Sequence, residues 1–339
     1  MESINQERYN WVDWVKSITI FLVILGHMPM DSIVTPIIYS FHMPLFMLIS
    51  GYLYKPQNSA KKELIKNLKT LIVPYFIYQL IFYPYWIARE HLAFHHPFNL
   101  YNSVIEPIVR IIQTDPIDLP TWFLFCLFLI KTYVYIIQKS RSFSQYLIIT
   151  SCILSIFICY LLNKHSIFGT FVIHNFFSLQ IFFFAGQFLK KLQYERWLVS
   201  LRKNMLLLVV LITLFYILIQ IGYKSIYTNL YETITFYFIG FIGSAIILVI
   251  SYSLNKFSSK LNYNISTGTM VILGLHWMFI GVINFTIEKY LHLSEDIIYP
   301  AYIAFLICIF IMFMNYPLIL ICKKYFPILL GKNHTKQPR

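Results

Sequence analysis

The chain has 339 residues, of which 58% are hydrophobic, 19% aromatic and only 12% charged, with a formal net charge of +13. Soluble domains carry roughly 45–50% apolar and 25% charged residues, so this chain cannot hide its apolar surface in one water-soluble core. The composition excludes an ordinary soluble protein and indicates an all-α integral membrane protein.

Apolar runs of about 20 residues, long enough to cross the hydrocarbon core of a bilayer as helices, recur along the whole chain. Ten such runs predict about ten transmembrane helices: 17–31, 35–54, 71–88, 121–138, 146–162, 171–189, 204–222, 232–254, 267–287 and 298–321. The first run lacks a small-residue cleavage site, which favours a retained helix over a removed signal peptide. We therefore expect one membrane domain over residues 1–325 and a short basic tail over 326–339.

Lysine and arginine are distributed unevenly between alternate connections. If the N-terminus is cytoplasmic, 21 of the 27 Lys and Arg residues lie in cytoplasmic segments, five lie in outer segments, and Lys131 lies within a span. The positive-inside rule then predicts that both termini are cytoplasmic. A nucleic-acid partner is disfavoured, because the basic residues are split among six segments instead of forming one surface.

The first predicted helix carries Lys16 at its foot and His27 deep inside an apolar stretch. Eleven residues separate them, close to three helical turns, so both share one face and lie roughly 16 Å apart along the axis. Ionisable groups at such depth usually face a cavity or a partner instead of lipid. The alternative is a histidine that only packs against a neighbouring helix.

The second predicted helix contains the sequence YSFHMPLFMLISGYLY. His42 is expected at a depth similar to that of His27, so the two imidazoles can meet in one cavity, with packing as the alternative. Ser50 and Gly51 follow two turns later, where small residues allow a backbone or a ligand to approach closely. Ser50 is better suited to contact a substrate than to act as a nucleophile, because no strained elbow surrounds it.

These segments resemble the membrane-bound acyltransferase 3 family. Lys16 and His27 match its first-helix pattern of Arg or Lys, ten residues and His, and FHMPLFMLISGYLY is similar to its second-helix signature. Lys66 and Lys69 stand where many members have an Arg-x-x-Arg pair, just before VPYF, and TWFLFCLF and LGLHWMF, with His276, resemble two later landmarks. The short, single-module form resembles fucose 4-O-acetylase-like and exopolysaccharide-acylating members.

The resemblance implies transfer of an acyl group, most often acetyl, from cytoplasmic acyl-CoA to a hydroxyl of a cell-surface or lipid-linked carbohydrate. It also implies a multi-pass protein of the bacterial cytoplasmic membrane. His27 would be the general base, since an imidazole accepts and returns a proton near neutral pH, with His42 as the second catalytic residue. Lys16, Lys66 and Lys69 would bind the phosphates of the donor, acetyl-CoA. No metal site is predicted.

Four residues are candidates for binding the carbohydrate acceptor: Tyr39, Ser50, Trp122 and His276. Tyrosine and tryptophan rings stack on sugars, but they also form aromatic belts at both membrane interfaces. Lys131, within a span, is expected to extend its side chain toward the interface.

Two other functions stay open at this point. Buried histidines and lysines also suit the permeation path of an exporter of polysaccharide or of a small anion, although no internal repeat typical of transporters is visible. A structural subunit of a synthase would leave the spacing of Lys16 and His27 unexplained.

The charge distribution predicts that residues 55–69 face the cytoplasm and residues 89–120 face the outside. A membrane-impermeant maleimide added to intact cells should therefore label Asn102→Cys but not Asn58→Cys. Permeabilised cells should show labelling at both positions, which is the control. Labelling at position 58 alone in intact cells would reverse the predicted orientation.

Overall fold

A computed structural model describes residues 9–30, 33–93, 96–113, 115–139, 144–164, 171–192, 205–222, 229–291 and 297–332. Within these ranges the chain is helical and contains no β-strand. The α-helices, numbered here in chain order, are α1 (Asn10–Gly26), α2 (Val34–Tyr39), α3 (His42–Leu53), α4 (Ala60–Asn67), α5 (Val73–Ala88), α6 (Glu106–Ile112), α7 (Trp122–Lys139), α8 (Ser144–Lys164), α9 (Phe171–Lys191), α10 (Met205–Gly222), α11 (Leu230–Ser253), α12 (Lys260–Thr267), α13 (Thr269–Leu291) and α14 (Ala301–Tyr325).

Eight helical segments of the described chain are long and apolar enough to cross a membrane: Val34–Leu53, Ala60–His91, Leu119–Lys139, Gln145–Lys164, Phe171–Lys191, Leu230–Ser253, Thr269–Tyr290 and Ala301–Tyr325. They coincide with eight of the ten predicted spans, so this is a multi-pass membrane protein. The other two predicted spans correspond to α1, which has 17 residues, and α10, which has 18, and neither belongs to the eight. The side of the membrane on which the termini lie stays a prediction.

The first helix differs from its predicted range of 17–31. It begins at Asn10 and ends at Gly26, so it lies seven residues earlier at its start and five earlier at its end. The early start includes Asn10, whose side chain bonds to the turn at Asn255 and Phe257. The early end precedes Pro29, and a proline disfavours helical geometry in the residue before it. His27 continues the helical direction as the C-terminal cap, with φ −87° and ψ −5°.

Helix α1 lies at the centre of the bundle. It packs against α2, α3 and the four helices α11–α14, and 11 of its 17 residues are buried. Hydrogen bonds anchor both of its ends. The Asn10 side chain donates to the carbonyl oxygens of Asn255 (2.6 Å) and Phe257 (2.9 Å), and the Tyr299 N–H donates to the carbonyl oxygen of Pro29 at 2.8 Å. These bonds fix the height of His27 within the bundle.

Successive spans run in opposite directions, which defines two ends of the bundle. The N-terminal end holds the start of α1 and the end of α11, joined by Asn10, and the start of α12 and the end of α14, joined by a 2.5 Å hydrogen bond from Lys323 Nζ to Asn264 Oδ1. The opposite end, called here the loop end, holds His27 and the connection 89–121. This connection contains α6 and short π-helical and 3-10 turns.

The chain after α14, predicted to be a basic tail, begins with a structured turn. Pro327–Leu330 forms a 3-10 helix in which Leu330 is buried. The Tyr78 hydroxyl of α5 donates to the carbonyl oxygen of Leu329 at 2.7 Å. This part of the predicted tail therefore packs against the membrane domain, and residues 333–339 lie outside the described residues.

Helices α3 and α9 share the most extensive helix–helix contact of the described chain. Gly51 faces the carbonyl oxygen of Phe183, and Gly186 faces that of Leu48, so closely that a Cβ atom at either glycine would overlap the oxygen. Small residues at such positions let the backbones of membrane helices touch. The contact fixes α3, the helix that carries His42 and Ser50.

The substitution Gly186→Ala should destabilise the protein, because its methyl group would push α3 and α9 apart. Overpacking of this kind costs about 1–3 kcal/mol, which should lower the midpoint of thermal unfolding in detergent. Phe188→Ala is the matched control, since that side chain lies on the same helix and is 60% exposed. A Gly186→Ala protein as stable as the parent would show that α3 and α9 do not touch at this point.

Candidate active site

A pair of histidines joins α1 to α13 at the loop end. His27 Nδ1 lies 2.9 Å from His276 Nε2, and the two ring planes are within 22° of parallel with centroids 5.1 Å apart. His276 is fully buried, whereas His27 is only partly buried. His27 is therefore the more exposed member of the pair.

The hydrogen-bond partners assign the protons of this pair. His276 Nδ1 lies 2.8 Å from the carbonyl oxygen of Ile272, which can only accept, so His276 Nδ1 donates. With both rings neutral, His276 Nε2 must accept, and His27 Nδ1 must donate to it. The lone pair of His27 then lies on Nε2. A general base needs this arrangement, in which one ring nitrogen is held and the other is available.

His42 belongs to the same neighbourhood through Tyr39. The Tyr39 ring stands edge-on to His27, with centroids 5.9 Å apart, and edge-on to His42, with centroids 5.2 Å apart. His42 is buried, and its Nδ1 donates to the carbonyl oxygen of Ile38 at 2.7 Å. In the described chain the hydrogen bond of His27 goes to His276, a residue that the sequence suggested for substrate binding, and not to His42.

A cavity of about 420 Å³ lies between α1, α3, α7 and α13 on the N-terminal side of the histidines. We call it the lysine cavity, because four lysines line it together with Ser50 and mostly apolar side chains: Lys16, Lys55, Lys66 and Lys131. The described residues of its lining include no carboxylate. A low-dielectric cavity that carries charges of one sign attracts ligands of the opposite sign.

The lysine cavity extends toward the histidines. Ile20 of α1, Met43 of α3 and Leu273 of α13 are part of its wall. His27 is seven residues beyond Ile20, or roughly 10 Å along the axis, and His276 is three residues beyond Leu273, or roughly 5 Å. The described lining of the cavity therefore ends below the level of the two histidines and includes neither of them.

The structure separates the two lysines that the sequence grouped together. Lys66 lines the cavity, and its Nζ donates to the carbonyl oxygen of Lys55 at 3.3 Å. Lys69 is exposed and lies outside the described lining. Lys131 was expected only to extend toward the interface, but it contributes to the cavity. The signal that could have identified it is its position, since a lysine inside an apolar span usually faces a cavity.

A second cavity, of about 610 Å³, lies at the loop end beneath the connection 89–121. We call it the loop cavity. Its lining combines aromatic, amide, hydroxyl and charged side chains: Trp86, Arg89, Glu90, His91, His96, Asn99, Asn102, Ser103, Glu106, Arg110 and Trp277. The Trp277 ring stands edge-on to His27 with centroids 5.0 Å apart. Trp277 thus connects the loop cavity directly to the histidine pair.

Two arginines of the loop cavity lie close to carboxylates, and His96 also bonds to one of these carboxylates. The Glu90 carboxylate lies 2.9 Å from His96 Nδ1 and 3.8 Å from the Arg89 guanidinium. The Arg110 guanidinium lies 2.8 Å from Asp115 Oδ2. The charges at the loop cavity therefore partly cancel, in contrast to those of the lysine cavity.

Buried hydrogen bonds hold the last part of the connection against α5. The Asp118 N–H donates to Gln79 Oε1 at 3.1 Å, and the Thr121 hydroxyl donates to the carbonyl oxygen of Asp118 at 2.7 Å. Asp118 is fully buried, and desolvation raises the pKa of its carboxyl well above the usual value. Burial therefore makes ionisation of the Asp118 carboxyl less favourable than in water.

Most of the chain corresponds to one known family. A family model described as an acyltransferase domain, Acyl_transf_3, matches residues 9–324. The chain belongs to the acyltransferase 3 family. No curated protein and no solved structure matches it. Family membership confirms the resemblance found in the motifs and supports acyl transfer by a multi-pass membrane protein.

The four residues suggested for acceptor binding do not lie together in this acyltransferase. Tyr39 and His276 contact His27, whereas Ser50 lines the lysine cavity. Trp122 is buried, with its ring 5.1 Å from that of Phe171, and it lines neither of the two cavities described here. Trp277, which sequence reasoning did not single out, takes the position next to the histidines.

Proposed function

We propose that this acyltransferase moves an acyl group, acetyl in the simplest case, from acyl-CoA to a hydroxyl of a cell-surface or lipid-linked carbohydrate. The observation that carries the proposal is the bonded His27–His276 pair, which lies between a cationic cavity at one end of the bundle and a polar cavity at the other. We place the protein in the bacterial cytoplasmic membrane, with the N-terminal end in the cytoplasm, because the basic segments lie at that end.

The lysine cavity suits the donor. The phosphates of CoA are polyanionic, and Lys16, Lys66 and Lys131 supply cations in a cavity whose described lining has no carboxylate. Lysine attracts phosphate as a point charge without the bidentate geometry of arginine. Lys69, exposed beyond the lining, would act only through long-range attraction. The narrow pantetheine arm would then extend along α1 toward His27.

His27 suits the role of general base in the transfer. The acceptor hydroxyl gives its proton to His27 Nε2 while its oxygen attacks the carbonyl carbon of the thioester. The carbon–sulfur bond then breaks, and the departing thiolate takes the proton from His27, which leaves an ester and free CoA. His276 holds His27 Nδ1 during both proton transfers.

His42 suits a second role at the same site. Its Nδ1 is engaged by Ile38, so in the neutral ring Nε2 is the acceptor that remains. We propose that this nitrogen accepts a hydrogen bond from the carbohydrate, close to Tyr39. Export of a polysaccharide or a small anion, the alternative left by the sequence, could use buried histidines and lysines along its path, but it does not require the hydrogen bond that joins His27 to His276.

Lys131→Met should weaken binding of acetyl-CoA about tenfold or more, because a hydrogen bond to a charged group contributes about 1.5–3 kcal/mol. Equilibrium binding to the purified protein in detergent measures this, and the difference from the parent should shrink at high salt. Lys62→Met removes the same charge from an exposed position of α4 and is the matched control. Equal losses in the two variants would show that the lysines act only through overall charge.

His27→Asn should bind acetyl-CoA normally but lose acetyl transfer by about 10²–10⁴-fold, the usual contribution of a general base. Radiolabelled acetyl-CoA and extracted glycans provide the assay. His276→Asn should also lower the turnover number, because His27 Nδ1 would lose its partner, while donor binding is kept. An Asn variant at position 27 with near-normal transfer would exclude His27 as the base.

A further inference from the structure

We propose that the loop cavity binds the neutral sugar rings of the acceptor, with Trp277 as the aromatic surface on which one ring stacks. The assignment of a neutral sugar to this cavity is argued from its lining residues and their charges, independently of the proposed reaction. Only the last step, in which a hydroxyl of the stacked ring meets His27, rests on the proposed acyl transfer.

The side chains of the loop cavity match the two kinds of surface that a sugar ring offers. Trp86 and Trp277 supply aromatic faces for the apolar C–H groups of the ring, and Asn99 and Asn102 supply amides for its hydroxyl groups. Sites for small molecules combine apolar or aromatic walls with a few placed polar groups, in volumes of roughly 300–1,000 Å³. The loop cavity, at about 610 Å³, has both features.

Charge separates the ligands of the two cavities. The Arg89 and His96 side chains of the loop cavity face the Glu90 carboxylate, and Arg110 faces Asp115. A polyanion would meet these carboxylates there, whereas the described lining of the lysine cavity has none. The same pairing costs a neutral polyol little, because it brings no charge that must be matched. The neutral substrate is therefore assigned to the loop end.

The polar groups of the loop cavity are held in place before a ligand arrives. His91 Nδ1 donates to the carbonyl oxygen of His96 at 2.6 Å, so in the neutral ring its Nε2 accepts from the Ser103 hydroxyl at 3.2 Å. The Tyr83 hydroxyl donates to the carbonyl oxygen of Ser103 at 2.7 Å, and the Asn99 N–H donates to the Ser103 hydroxyl oxygen at 3.2 Å. Groups that are already ordered lose less entropy on binding.

Trp277 has a position that joins sugar binding to chemistry. It is the residue after His276 on α13, it lines the loop cavity, and its ring stands at 88° to that of His27. A sugar stacked on the cavity side of this indole lies one ring away from the imidazole. The same helical turn thus orients the base through His276 and positions the acceptor through Trp277.

Binding of neutral sugars tests this inference independently of catalysis when it is measured in the His27→Asn protein. The probes are neutral trisaccharides of glucose, galactose, mannose and N-acetylglucosamine, with trigalacturonic acid as the anionic counterpart, detected by saturation-transfer NMR in detergent. At least one neutral probe should bind more tightly than trigalacturonic acid. Trp277→Ala should weaken that binding about tenfold or more, as removal of a central aromatic contact does, and Trp14→Ala, at the N-terminal end, should not. Absence of binding by every neutral probe, tighter binding of the anionic probe, or unchanged binding in Trp277→Ala would overturn the inference.

A second variant avoids any change in the membrane helices. Asn102 is exposed and lines the loop cavity, so Asn102→Cys coupled to a bulky maleimide should block the neutral sugar and leave acetyl-CoA binding unchanged. Persistent sugar binding after labelling would place the sugar elsewhere.

The two proposals fail in distinguishable ways. Sugar binding that requires Trp277 and is blocked at position 102, in a parent protein that transfers no acetyl group, would support the inference and refute the proposed function. Acetyl transfer to a glycan whose binding is unaffected by Trp277→Ala and by labelling at position 102 would support the proposed function and refute the inference.

Discussion

The hydrogen bond from His27 to His276 is the interaction on which the rest of the candidate site depends. Polar groups inside a bilayer have no water to bond with, so each must find its partner within the protein. Here the chain of donors ends at the carbonyl oxygen of Ile272, which accepts from His276, and it leaves an acceptor nitrogen on His27. The bond can form only because α1 is central and anchored at both ends, which sets His27 level with His276.

One short stretch of α13 brings the parts of the site together. Leu273 lines the lysine cavity, His276 bonds to His27, and Trp277 lines the loop cavity. These residues lie within about 6 Å along the helix axis. In the proposed function, a donor in the lysine cavity and an acceptor in the loop cavity would meet at this turn, and the contrast in charge between the cavities would direct each substrate to its own cavity. The contact between α3 and α9 also supports the site, since it holds the helix that carries His42, whose ring lies beside Tyr39.

The family and eight of the ten predicted spans are confirmed, because motifs and hydropathy are local properties of the sequence. The sequence alone did not predict that His276 is the partner of His27, since the two residues are 249 positions apart and a single sequence carries no signal for such a contact. The same reason applies to Trp277 and to Lys131, whose neighbours come from distant helices. Pro29 indicates the early end of α1, but the predicted range extends to residue 31 because the hydrophobic run continues past this proline.

The arrangement of the two cavities also bears on the choice between transfer and export. Their described linings share no residue, and His27 and His276 lie at the level between them. An alternating-access exporter would have to open the level between the cavities to pass its cargo, whereas acyl transfer requires only that a thioester and a hydroxyl meet at one point. The rings of Tyr39, His276 and Trp277 pack around His27, and in the proposed reaction they would limit water near the thioester and so protect it from hydrolysis. Two cavities on either side of a bonded pair of imidazoles are the arrangement that the proposed transfer needs.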